Sequence, residues 1–206
     1  MADGAVGDLA DTVAKPGAVI LARHGQPALS RRVMLSADQY REWWADYEIG
    51  GLIEGQSPPQ RLIDAAQRAG FIIASTRLRS VETAHALCGG RAFAEDALFI
   101  EAPVPPPHWP SWLKLSPRIW GGVSRFWWWV FNHHDQQESR SQAEARADEA
   151  ARQLAALAAG GQDVLVVAHG FFNWRIGRAL QRRGWRCVEN GGFSYWSARR
   201  FELSQP

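Results

Sequence analysis

The sequence predicts an α/β fold: a three-layer sandwich with a mostly parallel central sheet flanked by helices. Three observations carry that expectation. Short, largely β-branched or aliphatic runs recur at 18–22, 71–74 and 164–168, the pattern of parallel strands buried on both faces. Between them lie stretches with helix start and stop signals, the alternation of an α/β layered fold. Two of the runs, far apart in sequence, end in the same pair, His24-Gly25 and His169-Gly170. Ligands of open α/β sheets bind just beyond the carboxyl ends of such strands.

Along the chain, residues 1–17 carry Asp3, Asp8 and Asp11 and no apolar core, so they read as a frayed tail and not as a signal peptide. A single domain over 18–206 is expected. After the first strand, 26–32 reads as a loop. Ser36 and Gln39 form a capping-box pattern before a helix carrying Tyr40, Trp43, Trp44 and Tyr47. A second helix is expected from Gln60 to Arg68, ending at Gly70. The strand 71–74 leads into the turn Ser75-Thr76-Arg77-Leu78-Arg79, and a helix over 82–87 stops at Gly89-Gly90. A strand is expected within 92–101. The five prolines between 103 and 110 exclude an ordinary helix or central strand there. Six of the eleven tryptophans fall between 109 and 131. A long amphipathic helix over 136–157, capped near Ser139, precedes the 164–168 strand. A helix over 172–183 and a strand over 193–203 complete the chain.

Composition excludes several classes. With 206 residues, 46% of them hydrophobic, the chain can build a full core without a metal or disulfide staple. A net charge of +2, with no basic run longer than two residues, argues against nucleic-acid binding. Cys88 and Cys187 lie in no CxxC or Cys/His cluster, so no zinc site is expected and both read as free thiols of a cytoplasmic protein. No apolar stretch approaches the roughly 20 residues of a membrane span. His133-His134-Asp135 reads as a polar loop and not as a metal site, and no cofactor is expected.

The chemistry sits at the strand ends. Arg23 and His24, Arg77 and Arg79, and His169 would together form a donor-rich, positive cleft suited to a phosphoryl group. A neutral imidazole can attack phosphorus. Arginines can neutralise the equatorial oxygens, and a carboxylic acid must protonate the leaving oxygen.

These motifs resemble the histidine phosphatase superfamily, the phosphoglycerate mutase-like family. Arg23-His24-Gly25 matches its hallmark after the first strand, and Ser75 to Ala84 matches its Ser-x-x-x-Arg-x-x-x-Thr-Ala motif. Glu138-Ser139 with Arg146, the final His169-Gly170, and Glu189-Asn190-Gly191-Gly192 before the last strand follow in the family's order. The resemblance implies a phosphoglycerate mutase-like fold and a metal-independent phosphatase. His24 becomes the phosphohistidine nucleophile. Arg23, Arg79, His169 and Gly25 form the phosphate pocket, with His169 also catalytic, and Glu101 is the proton donor. Glu82 is a rival acid, read instead as supporting a helix start. Glu138 and Arg146 are read as a cap and a helix-face ion pair, and Arg77 as a rim or structural residue.

Two positions depart from the family pattern. Ser30 stands where many relatives have a phosphate-contacting asparagine, and Pro27 where the mutase branch has glutamate. Both argue against phosphoglycerate mutase activity. The expected substrate is a phosphorylated small molecule or phosphoprotein. Alternatives are a catalytically weak relative that only binds a phospho-ligand, and a protein phosphohistidine phosphatase. The Trp/Pro-rich segment 103–137 lies where relatives carry an insertion over the active site, so it is expected as a lid. It could pack as a satellite core, line the pocket against an apolar or aromatic substrate moiety, or meet a membrane surface or second subunit through 109–131. The three adjacent tryptophans 127–129 cannot share one helix face.

Overall fold

The computed structural model describes residues 15–204. Most of the expected tail lies outside the described residues. The elements run β1 (Val19–Arg23), α1 (Ala37–Ile49), α2 (Gln60–Arg68), β2 (Phe71–Ala74), α3 (Leu78–Cys88), β3 (Ala94–Glu95), α4 (Pro117–Phe131), α5 (Arg140–Ala158), β4 (Val164–Ala168), α6 (Gly170–Arg182), β5 (Trp185–Asn190) and β6 (Ala198–Leu203).

They build one six-stranded sheet in the order β3-β2-β4-β1-β6-β5. β2, β3, β4 and β1 pair in parallel, while β6 runs antiparallel to β1 and to β5. Alternate residues of the central strands face opposite layers. Val19, Leu21, Val164 and Val166 pack with α5 and α6, and Ile20, Ala22, Leu165 and Val167 pack with α2 and α3. A third, smaller cluster joins Tyr40, Trp43 and Tyr47 of α1 to Trp120 of α4.

Local sequence explains the boundaries. Ser36 and Ser139 each close a capping box with a glutamine at the third helical position, at α1 and α5. α2 spans the expected residues. Elsewhere the structure corrects the expectation. α3 starts at Leu78, not Glu82, which places Arg79 in a helix and not in a turn. The strand expected within 92–101 is two residues long, because the Asp96 side chain accepts from Leu98 N at 2.8 Å and turns the chain into a short 3-10 helix at Ala97–Phe99. α4 was not foreseen: Ser116 caps it, Pro117 occupies its first turn, and Gly121-Gly122 in its interior masks the pattern. The single strand expected over 193–203 is replaced by the β5–β6 hairpin, with the turn at 191–197 and β5 beginning back at Trp185. β6 thereby runs antiparallel between β1 and the edge strand β5, in a sheet whose other neighbouring pairs are parallel.

Segment 103–137 contributes to both a core and a cavity wall. Trp120 and Trp128 are fully buried, Trp120 in the satellite cluster and Trp128 in the main core, whereas Trp112 is 78% exposed and Trp129 48%. The expected divergence within 127–129 is present: Trp128 faces inward while Trp129 faces out.

Candidate active site

β2, β4 and β1 are adjacent and parallel, so their carboxyl ends lie side by side. Arg23 is paired in register with Ala168, and Ala74 with Val167. The residues just beyond therefore meet. His24 N donates to Ala168 O at 3.0 Å and Ser75 N to Val167 O at 2.9 Å, knitting the three strand ends together. The imidazole rings of His24 and His169 stand edge to face with centroids 5.1 Å apart.

Both histidines are buried, and their hydrogen bonds define their tautomers. His24 Nδ1 lies 2.7 Å from the Gly25 carbonyl oxygen. A carbonyl can only accept, so Nδ1 carries the proton and Nε2 keeps its lone pair. His169 Nδ1 faces Arg79 Nη2 at 3.4 Å, and a guanidinium can only donate. His169 Nε2 therefore carries the proton and donates to Ser75 Oγ at 2.9 Å. Burial, then the charges of Arg23 and Arg79, holds His24 well below the usual imidazole range. Burial, then His24 and Arg79, does the same for His169. Both rings are neutral at neutral pH.

Arg23 stacks its guanidinium 4.3 Å from the Tyr195 ring centre and donates to the Phe193 carbonyl. Its Nε is buried without a partner. Arg79 is completely buried and heavily engaged. Nη1 donates to Tyr47 O at 2.8 Å, and Nη2 to Glu48 Oε1 at 2.8 Å. Arg77 reaches the other Glu48 oxygen, also at 2.8 Å. Gly25 sits against Trp196, where a Cβ would lie 2.5 Å from the indole ring. Its N–H donates to Thr83 Oγ1 at 2.9 Å, so this group, expected to face phosphate, is turned to α3 instead.

Glu101 reaches the site from the segment after the 3-10 helix. Its carboxyl oxygens accept from Phe172 N at 2.8 Å and Phe171 N at 3.3 Å, anchoring it at the α6 N-terminus beside His169. Arg146 holds the preceding turn: Nη1 donates to Leu98 O and Ile100 O, both at 2.8 Å, while a fork clamps Glu138 at 2.6 and 2.7 Å. The pair expected as a helix-face bridge thus also braces the chain that carries Glu101. Glu82 accepts from Leu52 N at 2.6 Å and secures the 51–52 loop, not the helix start. His133 and His134 lie away from these groups, His133 on the Pro106 carbonyl. Among the described residues no cluster of three or more His, Cys, Asp or Glu could hold a metal ion.

Three site residues escaped the sequence reading. Glu48 is the last acidic residue of α1, Arg31 bonds the Tyr47 hydroxyl at 2.8 Å, and Tyr195 lies 5.8 Å from His24 by ring centres. None belongs to a motif; each is delivered by a loop or helix end. A cavity of about 450 Å³ opens over Arg23, Glu101 and Gly170. It is walled by α1, the start of α6, and Pro117, Arg118, Gly121 and Arg125 of α4. No helix among the described residues is long and apolar enough to cross a membrane.

No curated protein matches the chain in sequence. Several solved structures share its fold. One is a mycobacterial glucosyl-3-phosphoglycerate phosphatase complexed with VO3, at 17% identity and a TM-score of 0.55, over 91% of this chain and 97% of that one. Another is a phosphoglycerate mutase from Bacillus anthracis, at 14% identity and a TM-score of 0.55, over 94% of each chain. A third is a phosphoserine phosphatase from Entamoeba histolytica, complexed with phosphoserine, at 15% identity and a TM-score of 0.51, over 81% of this chain and 80% of that one. Residues 19–202 match the family model of the histidine phosphatase superfamily, branch 1, a span that runs from β1 into β6 and holds both histidine motifs. The chain belongs to the histidine phosphatase superfamily.

Proposed function

We propose that this protein is a phosphatase that hydrolyses a phosphomonoester through a phosphohistidine on His24. The observation that carries the reading is the His24 tautomer: Nδ1 is committed to the Gly25 carbonyl, which leaves the Nε2 lone pair free in a neutral ring. Nε2 attacks phosphorus as the ester P–O bond breaks, and the Glu101 carboxylic acid gives its proton to the leaving alkoxide. The Glu101 carboxylate then takes a proton from water, whose oxygen attacks phosphorus and releases phosphate and His24. Arg23 stabilises the phosphoryl oxygens, and the Nε2–H of His169 joins it by exchanging Ser75 Oγ for a phosphoryl oxygen. Arg79 adds its charge behind His169, and reaches phosphate directly by exchanging its Glu48 contact. All of this needs no metal. Pro27 and Ser30 weigh against mutase chemistry.

His24→Ala is expected to abolish turnover of p-nitrophenyl phosphate while leaving the melting temperature close to wild type. Wild type quenched in alkaline detergent should retain labelled phosphate on protein in an acid-labile, alkali-stable bond. Full activity in the variant overturns the mechanism.

One observation favours a second reading, a binding protein with weak turnover. Glu48 occupies Arg79, a guanidinium otherwise available to phosphate. Saturable phosphate-ester binding without hydrolysis, across a panel of phosphorylated metabolites and phosphopeptides, would select it.

A further inference from the structure

The cavity over Arg23 and Glu101 is far larger than a phosphoryl group needs, and its walls are of two kinds. Trp43 and Trp44 of α1 face it, as do Phe171 and Trp174 of α6, whose rings stack at 16° with centroids 5.9 Å apart. Flat, apolar walls of this kind suit a ring-sized ligand body. Four guanidinium groups, Arg23, Arg31, Arg118 and Arg125, line the same space against one carboxylate, Glu101. None of the four has an acidic partner within ion-pair distance among the described residues. Arg23, Arg31 and Arg125 are partly buried and Arg118 is exposed, whereas the buried Arg79 is paired with Glu48 and the buried Arg175 with Glu144.

Arg23 marks the phosphoryl end, and Arg31 lies near it through Tyr47 and Tyr195. Arg118 and Arg125 do not belong there. They project from α4, two turns apart, with Gly121 between them. A Cβ at Gly121 would lie 3.0 Å from Arg125 Nη1 and 3.7 Å from the Tyr40 hydroxyl, so the glycine keeps a gap open between arginine and tyrosine. That hydroxyl is buried with no hydrogen-bond partner, although Tyr40 itself lines the cavity. Burial pushes the Tyr40 phenol up to about 12, so it remains a donor. Arg125 donates to the Gly121 carbonyl at 2.9 Å, but neither it nor Arg118 has an acidic partner among the described residues; an orphaned buried donor beside two such guanidinium groups lacks an acceptor, and an anion supplies one.

We propose that the phosphomonoester taken by this site has a flat, apolar body and a second anionic group, and that Arg118, Arg125 and Tyr40 bind that second anion on the α4 wall. The inference rests on the phosphatase reading for turnover but not for binding. A carboxylate and a second phosphate share the required chemistry.

The test uses benzyl phosphates, whose leaving alcohols are nearly alike. The full-length protein is assayed with the para-carboxylate, the para-phosphonate and the neutral para-carboxamide compounds. At least one anionic compound should exceed the carboxamide in kcat/KM by about tenfold or more, and which one leads separates the two sources of charge. In R118Q/R125Q the ratio should fall toward unity, and Tyr40→Phe should lower it by a smaller factor. Equal kcat/KM for all three compounds in the wild type overturns the proposal, as does a ratio unchanged in R118Q/R125Q. If none is hydrolysed, the phosphatase reading fails separately. The same comparison is then read by calorimetry: preferential binding of an anionic compound sustains the second-anion site, and equal affinities overturn it.

Discussion

Glu48 Oε1 accepts from Arg79 Nη2 at 2.8 Å, an ion pair in which the arginine is completely buried and the glutamate nearly so. The same carboxylate takes Arg77, so one acid at the end of α1 neutralises two cations beside the histidines. Glu48 therefore ties α1 to Arg79 and, under the phosphate role proposed for Arg79, would compete with phosphate for it. Glu48→Gln should lower stability by about 1–3 kcal/mol, because a buried guanidinium loses its charged acceptor. It should also tighten inorganic phosphate binding by roughly tenfold, about 1.4 kcal/mol. Chemical denaturation and phosphate titration measure the two effects, and weaker phosphate binding in the variant would reject the competition.

Arg146 makes contacts that lysine cannot reproduce, a fork onto Glu138 and a shared nitrogen on two carbonyls before Glu101. Arg146→Lys keeps the charge and loses that geometry. We expect stability to drop by about 2 kcal/mol and kcat to fall more than KM changes. Denaturation melts and steady-state kinetics test this, and an unchanged kcat would show that Glu101 needs no such brace.

Gly25 lies against the Trp196 indole, which in turn donates to Gln56 Oε1 at 2.9 Å. Gly25→Ala must displace that ring. The expected cost is about 1–3 kcal/mol of stability, the usual range for overpacking. Activity should fall with it, since His24 is the adjacent residue. Wild-type melting and turnover in the variant would contradict the packing argument.

Acid should weaken the fold through the two histidines. Both have folded-state pKa values depressed well below the ordinary value, so between that depressed value and about 6.5 the unfolded chain binds more protons. Stability from these groups is therefore full above about pH 6.5 and declines as pH falls, by up to about 1.4 kcal/mol per unit for each ring. Unfolding free energies between pH 7.5 and 5 should show this slope. His169→Asn should flatten it relative to wild type, and an identical slope would exclude the histidine as its source.

The parallel strands, the capped helices α1 and α5, helix α2 and the strand-end histidines were legible because each has a local cause. A buried run needs only its own side chains to be recognised, and a capping box closes within four residues. Ser36 and Gln39 meet their own backbone whatever lies beyond. Arg23, His24 and His169 could be named for the same reason, since they stand directly at the ends of such runs; Arg79 over Arg77, and Glu101, follow from the family resemblance. Their mutual geometry could not. Glu101 lies against α6 only because Arg146, from α5, pins the chain before it.

What the sequence determined by itself was the parallel core of the sheet, most of the helices and the strand ends that gather the two histidines, since periodicity and motif spacing are short-range properties. Tertiary structure decided which groups are free to act. The chain order does not reveal that Glu48 covers Arg79, that Thr83 takes the Gly25 N–H, or that α4 turns Arg118 and Arg125 toward the cavity without acidic partners among the described residues. Those outcomes depend on which side chains are packed within a few ångströms of one another. In a buried site, the desolvation of each charged or polar group makes its nearest partner decisive.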